Sequence, residues 1–436
     1  MATCLNTPSL RDGQMGSGNT AYTRSEWCDY SVDTYYSTEA VDTGVTREYW
    51  LELTDVTVAP DGYSRSAMAV NDTIPGPTMF ADWGDTVVMH VTNSLSTSLN
   101  GHPVWLDLVS LPLFGGIIIK GPATTDYDED LGMVFLNDWG HQTVDELYSS
   151  VETNGPPTLD NGPINGTNLY GDDDSSSQTG TRFDVSFESG TSYRMSLVNA
   201  AVEFSIDNHT LTVIAADLVP IEPFETAILD LGMDKTVIIS SFCHYLTYVD
   251  QRYDTIATAD QADVADNFWM RAIPQAACSD NDSTDNIKGI VYYEDSPGTP
   301  STTAYDYTDG CDDETDNIAT VGKNTAGLFK WMLNSTSTYS SSITLNTYNP
   351  PRRDTAMLPA NGYLAMAWET DNPGVWLCHC HIGWHTSEGF ALQFLERSSE
   401  IANISTSSYV SDACDGWSSF QSESSIEQED SGGHRQ

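Results

Sequence analysis

The stretch "DNPGVWLCHCHIGWHTSEGF", residues 371–390, packs two cysteines and three histidines behind a turn-forming "DNPG". It is apolar at Val375, Trp376, Leu377 and Ile382, so residues 375–382 read as a β-strand. Side chains alternate between the two faces of a strand. Cys378 and Cys380 therefore share one face, and His379 and His381 share the other. A single zinc ion wants converging ligands, usually as C-x₂₋₄-C and H-x₃₋₅-H pairs. The alternation argues against that and for two metal sites, one on each side of the strand. On the cysteine face, "IGWH" carries His385 back toward Cys380. A thiolate with imidazoles is the ligand set of a type 1, blue copper centre. Phe390 then falls at the axial position, where it cannot coordinate, which favours Cu(I) and a high reduction potential. His379 and His381 reach a second copper group, joined to the first through the Cys380 backbone. Such an arrangement passes single electrons from one site to the other. Cys378 reads as a small buried apolar residue rather than a ligand.

Outward from this motif the chain keeps strand periodicity. "REYWLELTDVTV", "DTVVMHVTN", "FDVSFESGTSYRMSLVNA" and "HTLTVIAADLV" alternate apolar and polar residues over strand-length runs. Turn residues separate them, at Pro60-Asp61-Gly62, Asn71-Asp72, Pro75-Gly76-Pro77 and Ser189-Gly190. Long amphipathic helical patterns are scarce. Many short strands with frequent turns imply an all-β protein of packed antiparallel sheets.

Two acidic, proline-containing stretches divide the 436 residues. "GPATTDYDEDLG" closes a first block over 1–132. "YYEDSPGTPSTTAYDYTDGCDDE" separates a second, 133–295, from a third, 296–436, which opens with this linker, carries the metal motif and ends in a polar tail.

The charge balance is extreme: 17 Lys and Arg against 63 Asp and Glu, a formal net charge of −46. Such a surface repels phosphates and anionic lipid, so neither nucleic acid nor membrane is an expected partner. No run approaches the roughly 18 continuous apolar residues of a membrane span. "MATCLNTPSL" shows neither the basic nor the apolar region of a signal peptide. Six N-x-S/T sequons, at Asn71, Asn165, Asn208, Asn281, Asn334 and Asn403, nevertheless point outside the cell. Of the eight cysteines, Cys4 with Cys28 and Cys278 with Cys311 are candidate disulfide pairs in an oxidising compartment.

The stretch "DNPGVWLCHCHIGWHTSEGFALQFLE" resembles the last copper-binding motif of fungal laccases, in the multicopper oxidase family, and "NPPRRDTAMLPANGYLAMAWET" resembles the segment before it. "NDTIPGPTMFADWGDTVVMHVTN" is similar to the first domain of ascomycete-type laccases. "GPPTLDNGPINGTN" and "FSIDNHTLTVIAADLVP" are similar to the second, with "NFWMRAIPQAACSDNDSTDNIKGIVYYEDSP" at its end. The resemblance implies three cupredoxin-like β-sandwich domains. It implies a type 1 copper that takes single electrons from phenols or aromatic amines, and a three-copper cluster that reduces dioxygen to water. By motif, Cys380 and His385 are then type 1 ligands, with Phe390 the non-coordinating axial residue, while His379 and His381 serve the cluster. Asp217, in "VIAAD", is similar to the carboxylate that holds the phenol in some relatives. A secreted monomer is expected.

The chain also departs from the pattern. The family draws its other ligands from H-W-H-G, W-Y-H-S-H and H-P-x-H-L-H-G-H, none of which occurs here. After "VTNSLSTSLNG" the sequence reads "HPVWLDLVS" and rejoins the pattern near "LFGGIIIKGP". Conversely, "DKTVIISSFCHYLTYVD", residues 234–250, interrupts an otherwise continuous run before "QRYD". The full copper set needs about ten histidines with one cysteine, and this chain has nine histidines. His90, His102, His141, His209, His244 and His434 stand singly, as structural or solvent-facing residues do. Removing strands from a sandwich uncovers its faces, so the first and third domains are expected to be incomplete. Dioxygen reduction is expected to be impaired. The alternative is a secreted cupredoxin-like protein that binds copper without turnover.

Overall fold

The structure is a computed structural model. It describes residues 18–34, 41–95, 114–143, 157–171, 175–199, 202–231, 237–241, 251–275, 280–293, 297–307, 330–334, 363–368, 372–380 and 390–401, with a few single positions between them. Extended chain dominates, as the period-2 patterning requires. A small hairpin, β1 (Glu26–Trp27) and β2 (Tyr30–Ser31), precedes β3 (Thr46–Val58), β4 (Arg65–Val70), β5 (Gly76–Asp82), β6 (Thr86–Asn93) and β7 (Gly115–Lys120). Next come β8 (Glu129–Leu136), β9 (Leu169–Tyr170), β10 (Thr179–Gly180), β11 (Asp184–Ser186), β12 (Ser192–Asn199), β13 (Val202–Ile206) and β14 (Leu211–Ala216). β15 (Val219–Thr226), β16 (Leu229–Leu231), β17 (Val237–Ser241), β18 (Arg252–Thr258), β19 (Asn267–Pro274) and β20 (Lys288–Tyr292) follow. β21 (Lys330–Asn334), β22 (Tyr363–Ala367), β23 (Gly374–Cys380), β24 (Ala391–Glu396) and a single helical turn, α1 (Ser398–Ile401), complete the order.

The core sits in the second block. Two five-stranded sheets, β11-β20-β19-β13-β16 and β15-β14-β18-β12-β8, face each other there. Phe204, Phe268, Met270 and Val291 from one sheet meet Met195, Leu197, Leu211, Val213 and Ala257 from the other, all fully buried. Interdigitated inner faces of this kind make a β-sandwich, and each of these side chains larger than alanine contributes about 1.5–3 kcal/mol. β8 straddles the expected division after residue 132, since it runs parallel to β12 from Glu129 onward.

The first block is thinner. β4-β3-β6 and β5-β7 form sheets of three and two strands. β3 alternates as its sequence does, with Glu48, Trp50 and Glu52 outward, but Tyr49, Leu51 and Leu53 on the inner face remain only half-buried. Side-chain networks join the two blocks. Asp61 accepts from His141 Nε2 at 2.8 Å and Asn161 Nδ2 at 3.1 Å. Within the first block, Arg24, wholly buried, donates from Nε to the Tyr127 carbonyl (2.9 Å) and from a terminal nitrogen to the Asp128 carbonyl (2.9 Å). Its guanidinium also stacks on the Tyr127 ring, 4.0 Å from the centroid. Gly166 sits so close to Ile74 that a Cβ there would lie 2.4 Å from the Ile74 carbonyl oxygen. Cys28 is disulfide-bonded; its expected partner Cys4 lies outside the described residues, as do Cys278 and Cys311.

In the third block, β23 is the central strand of β17-β23-β24, and β21 pairs with β22. β17 was read as part of the second block by sequence, yet it pairs with the metal-motif strand.

Candidate metal centre

β23 starts where "DNPG" turns the chain. Trp376 Nε1 donates to the Asn372 carbonyl (3.1 Å), and the Asn372 amide donates to Glu396 at the far end of β24 (2.7 Å), so the open end of the hairpin is tied. From Gly374 to Cys380 the backbone is extended and pairs antiparallel with β24, with Cys378 opposite Leu392 and His379 opposite Ala391. Cys378 and Cys380 therefore point to one side of the sheet and His379 to the other. All three are buried, with 4%, 1% and 3% of their surface exposed respectively. The rest of β23 is only partly covered.

Burial shapes the chemistry of each group. It pushes the Cys378 thiol up to about 11, so that sulfur stays protonated near neutrality and behaves as a small apolar side chain. It also lowers the pKa of His379, against an opposing hydrogen bond to the Cys380 carbonyl. His379 Nδ1 lies 2.8 Å from that carbonyl oxygen. A carbonyl only accepts, so in the neutral ring Nδ1 carries the proton and Nε2 bears the lone pair that a metal requires. Neither Cys378 nor Cys380 is joined in a disulfide.

Phe390 lies directly across the hairpin from Cys380, whose amide donates to the Phe390 carbonyl at 2.9 Å. Opposed residues of an antiparallel pair share a face, so the Phe390 ring, half exposed, is on the side of the Cys380 sulfur. His381 and His385 lie outside the described residues. Among the described residues no group of three or more His, Cys, Asp and Glu side chains is placed to hold a metal ion. A buried soft thiol and a neutral imidazole on opposite faces of one strand do suit copper.

Asp217 stands on a different sheet, in the tight turn from β14 to β15. It and Leu218 have φ of 46° and 68°, the left-handed pair that a two-residue hairpin turn demands. The Asp217 carboxylate accepts the Arg252 amide (2.8 Å), lies 3.5 Å from that residue's Nε, and has no exposed side-chain surface. The structure thus gathers Cys378, His379, Cys380 and Phe390 on one hairpin, while Asp217 belongs to another sheet.

Three solitary histidines have ordinary neighbours. His90 stacks on Trp50 and faces Glu48. His141 lies between Asp61 and Asp160. His209 is buried between Tyr293 and the Asp207 carbonyl. His102, His244 and His434 lie outside the described residues. Sequence reasoning missed β17. Its β-branched run "VII" was a strand signal, but its partner lies far along the chain.

Three models of multicopper oxidase domains match, over residues 52–103, 130–238 and 323–400. "Laccase-2" of Botryotinia fuckeliana is 35% identical over 564 aligned positions, covering 95% of this chain and 93% of that protein. "Laccase-1" of the same fungus is 33% identical, covering 98% and 95%. Both alignments are longer than the 436 residues of this chain, so stretches of these relatives have no counterpart in it. The crystal structure of a laccase from Botrytis aclada superposes with a TM-score of 0.78 at 31% identity, covering 96% of this chain and all of that one.

Proposed function

The chain belongs to the multicopper oxidase family as a laccase-like oxidoreductase with copper as its cofactor, and from that premise we propose which residues hold the metal and what limits turnover. Its fold is the all-β, cupredoxin-like one of those laccases. Copper, when bound, supplies reversible one-electron exchange, drawing electrons from small phenols or aromatic amines and delivering them to dioxygen, which leaves as water.

Cys380 with His385 would hold the type 1 copper, with Phe390 as its non-coordinating neighbour. His379 and His381 would serve the second copper group. The single observation that carries this reading is the strand itself: at Cys378–Cys380 a buried sulfur face and a buried imidazole face lie back to back. The backbone part of the path between the Cys380 and His379 side chains is a single peptide unit. Asp217 is carried as the substrate-side carboxylate by its motif. Its closure by Arg252 means that a phenol reaches it only when the β14–β15 turn opens.

Turnover is impaired because nine histidines cannot fill a set that needs about ten, and three motifs that supply them are absent. The same count favours the second reading, a cupredoxin-like copper-binding protein without turnover. Metal analysis of purified protein, with dioxygen uptake on a phenol, tests both. Fewer than the family's four coppers per chain and slow uptake are expected. A full complement with brisk uptake would refute the impairment. Copper with no uptake at all would favour the second reading.

We also place the protein outside the cell, as a monomer without nucleic-acid or membrane partners. The Cys28 disulfide, the sequons and the acidic surface support this. No described helix is long and apolar enough to cross a membrane. The sequons are not equivalent. The Asn281 amide donates to the Asn161 carbonyl and the Asn165 amide to the Met133 carbonyl, whereas Asn208 is exposed on a turn. Intact-mass mapping should find a glycan at Asn208 and none at Asn165 or Asn281; the reverse pattern would contradict this placement.

A further inference from the structure

The chain leaves the second sandwich after β16, forms β17, and returns at β18. β17 lies inside residues 234–250, the stretch that interrupts the pattern of the family, and the second family match ends within it at residue 238. We propose that the β17 segment of this stretch, Val237–Ser241, serves as the edge strand that holds the backbone of Leu377 and His379 in place.

The register carries the argument. β17 runs antiparallel to β23 over five pairs: Val237 opposite Cys380, Ile238 opposite His379, Ile239 opposite Cys378, Ser240 opposite Leu377 and Ser241 opposite Trp376. Backbone groups of successive strand residues face opposite edges. The Cys380 amide donates to the Phe390 carbonyl, so Cys380, Cys378 and Trp376 turn their N–H and C=O groups toward β24. Leu377 and His379 turn theirs toward β17. Only one edge of β23 is thus served by the hairpin, and the other is served by the interrupting stretch.

Burial is highest opposite the apolar half of β17. The three buried residues of β23, Cys378 to Cys380, stand opposite Val237 to Ile239, while Gly374 to Leu377 are only partly covered. Without β17, the main-chain groups of His379 would lie at an open sheet edge next to a side chain that is 3% exposed, where unpaired polar groups are costly. The "VII" run is well suited to a pleated, half-buried strand.

The test is amide hydrogen exchange on the full-length chain, resolved to single residues and requiring no metal, so its outcome is independent of the oxidase reading. One variant deletes residues 234–250, joining Met233 to Gln251. The other is Ile238→Pro, which removes one ladder donor and blocks the pairing locally. In both, Leu377 and His379 should exchange at least about tenfold faster, while Val213 and Tyr253 in the second sandwich hold to within about threefold. Faster exchange at Cys378 and Cys380 as well, with the sandwich unchanged, also supports the proposal, since β23 then depends on its edge partner. Unchanged exchange at Leu377 and His379 in either variant overturns it. So does equal acceleration throughout the second sandwich, which would make the stretch part of that domain instead.

Discussion

The second sandwich and the metal-bearing sheet are built from the same kind of strand and differ in what covers them. In the sandwich, Phe204, Phe268, Leu211 and Val213 are sealed between two sheets of five strands. In the metal-bearing sheet, three strands leave Leu392 and Leu395 of β24 52% and 66% exposed. Among the described residues of that sheet, burial is concentrated at Cys378, His379 and Cys380 of β23. Stability and chemistry therefore reside in separate places, and a substitution should report which place it touches.

The largest effects are expected in the sandwich. Phe268→Ala should lower the unfolding free energy by about 3–5 kcal/mol, the cost of a large core cavity. Arg194 is buried and held by Asp130 and Asp254, which keep its pKa raised against desolvation. Arg194→Ala removes the buried cation they share, though Asp130 keeps Gly132 and Asp254 keeps Ser196 as partners, and should cost about 3 kcal/mol. Denaturant unfolding followed by tryptophan fluorescence measures both. A loss below 1 kcal/mol for either would place the core elsewhere.

An intermediate effect belongs to the junction between strands and loops. Asn165 Oδ1 accepts the Phe135 amide (2.8 Å) and its Nδ2 donates to the Met133 carbonyl (3.1 Å), with φ at 48°. Asn165→Ala loses both bonds in a conformation that disfavours alanine, and about 1–3 kcal/mol is expected.

The pH dependence has a definite sign. Burial lowers the pKa of His209 below its ordinary 6.5, although the Asp207 carbonyl opposes the shift. The unfolded chain then binds the proton first as acid is added, and stability falls. The stability associated with a neutral His209 is present above about 6.5 and is lost as pH drops toward the lower folded value. The melting temperature of His209→Gln should accordingly fall less steeply below pH 6.5 than that of the parent chain. An identical acid limb would show that another group sets it.

These differences mark what the sequence could and could not tell. "REYWLELTDVTV" gave β3 because one wet face enforces alternation, whereas β6, legible in "DTVVMHVTN", is exposed on both faces beyond Met89. The Cys-His-Cys face assignment was equally legible, since a strand needs only its own residues to set alternation. The β14–β15 turn was hidden, because Asp217 and Leu218 carry neither Gly nor Asn to announce positive φ. The role of 234–250 was hidden more deeply. Its partner strand begins more than a hundred residues later, and pairing over such distance leaves no local trace.

Within β23, the contrast between the two cysteines sharpens further. Cys378, protonated with its pKa at about 11, should resist alkylation at neutral pH. Cys378→Ala should cost about 1 kcal/mol of packing and leave copper uptake unchanged. Cys380→Ala should abolish any blue absorption. Loss of colour from Cys378→Ala would exchange their roles.

The smallest effect tests the comparison from its other side. Leu395 is two-thirds exposed on β24, opposite Val375, and an exposed side chain away from special geometry contributes within about 0.5 kcal/mol. Leu395→Ser should therefore leave the unfolding midpoint nearly unmoved while removing apolar surface from an open face. If the measured loss instead approached that of Phe268→Ala, Leu395 would have to be covered in solution. The metal-bearing sheet would then be as closed as the sandwich, and the separation of stability from chemistry would fail where it is drawn most sharply.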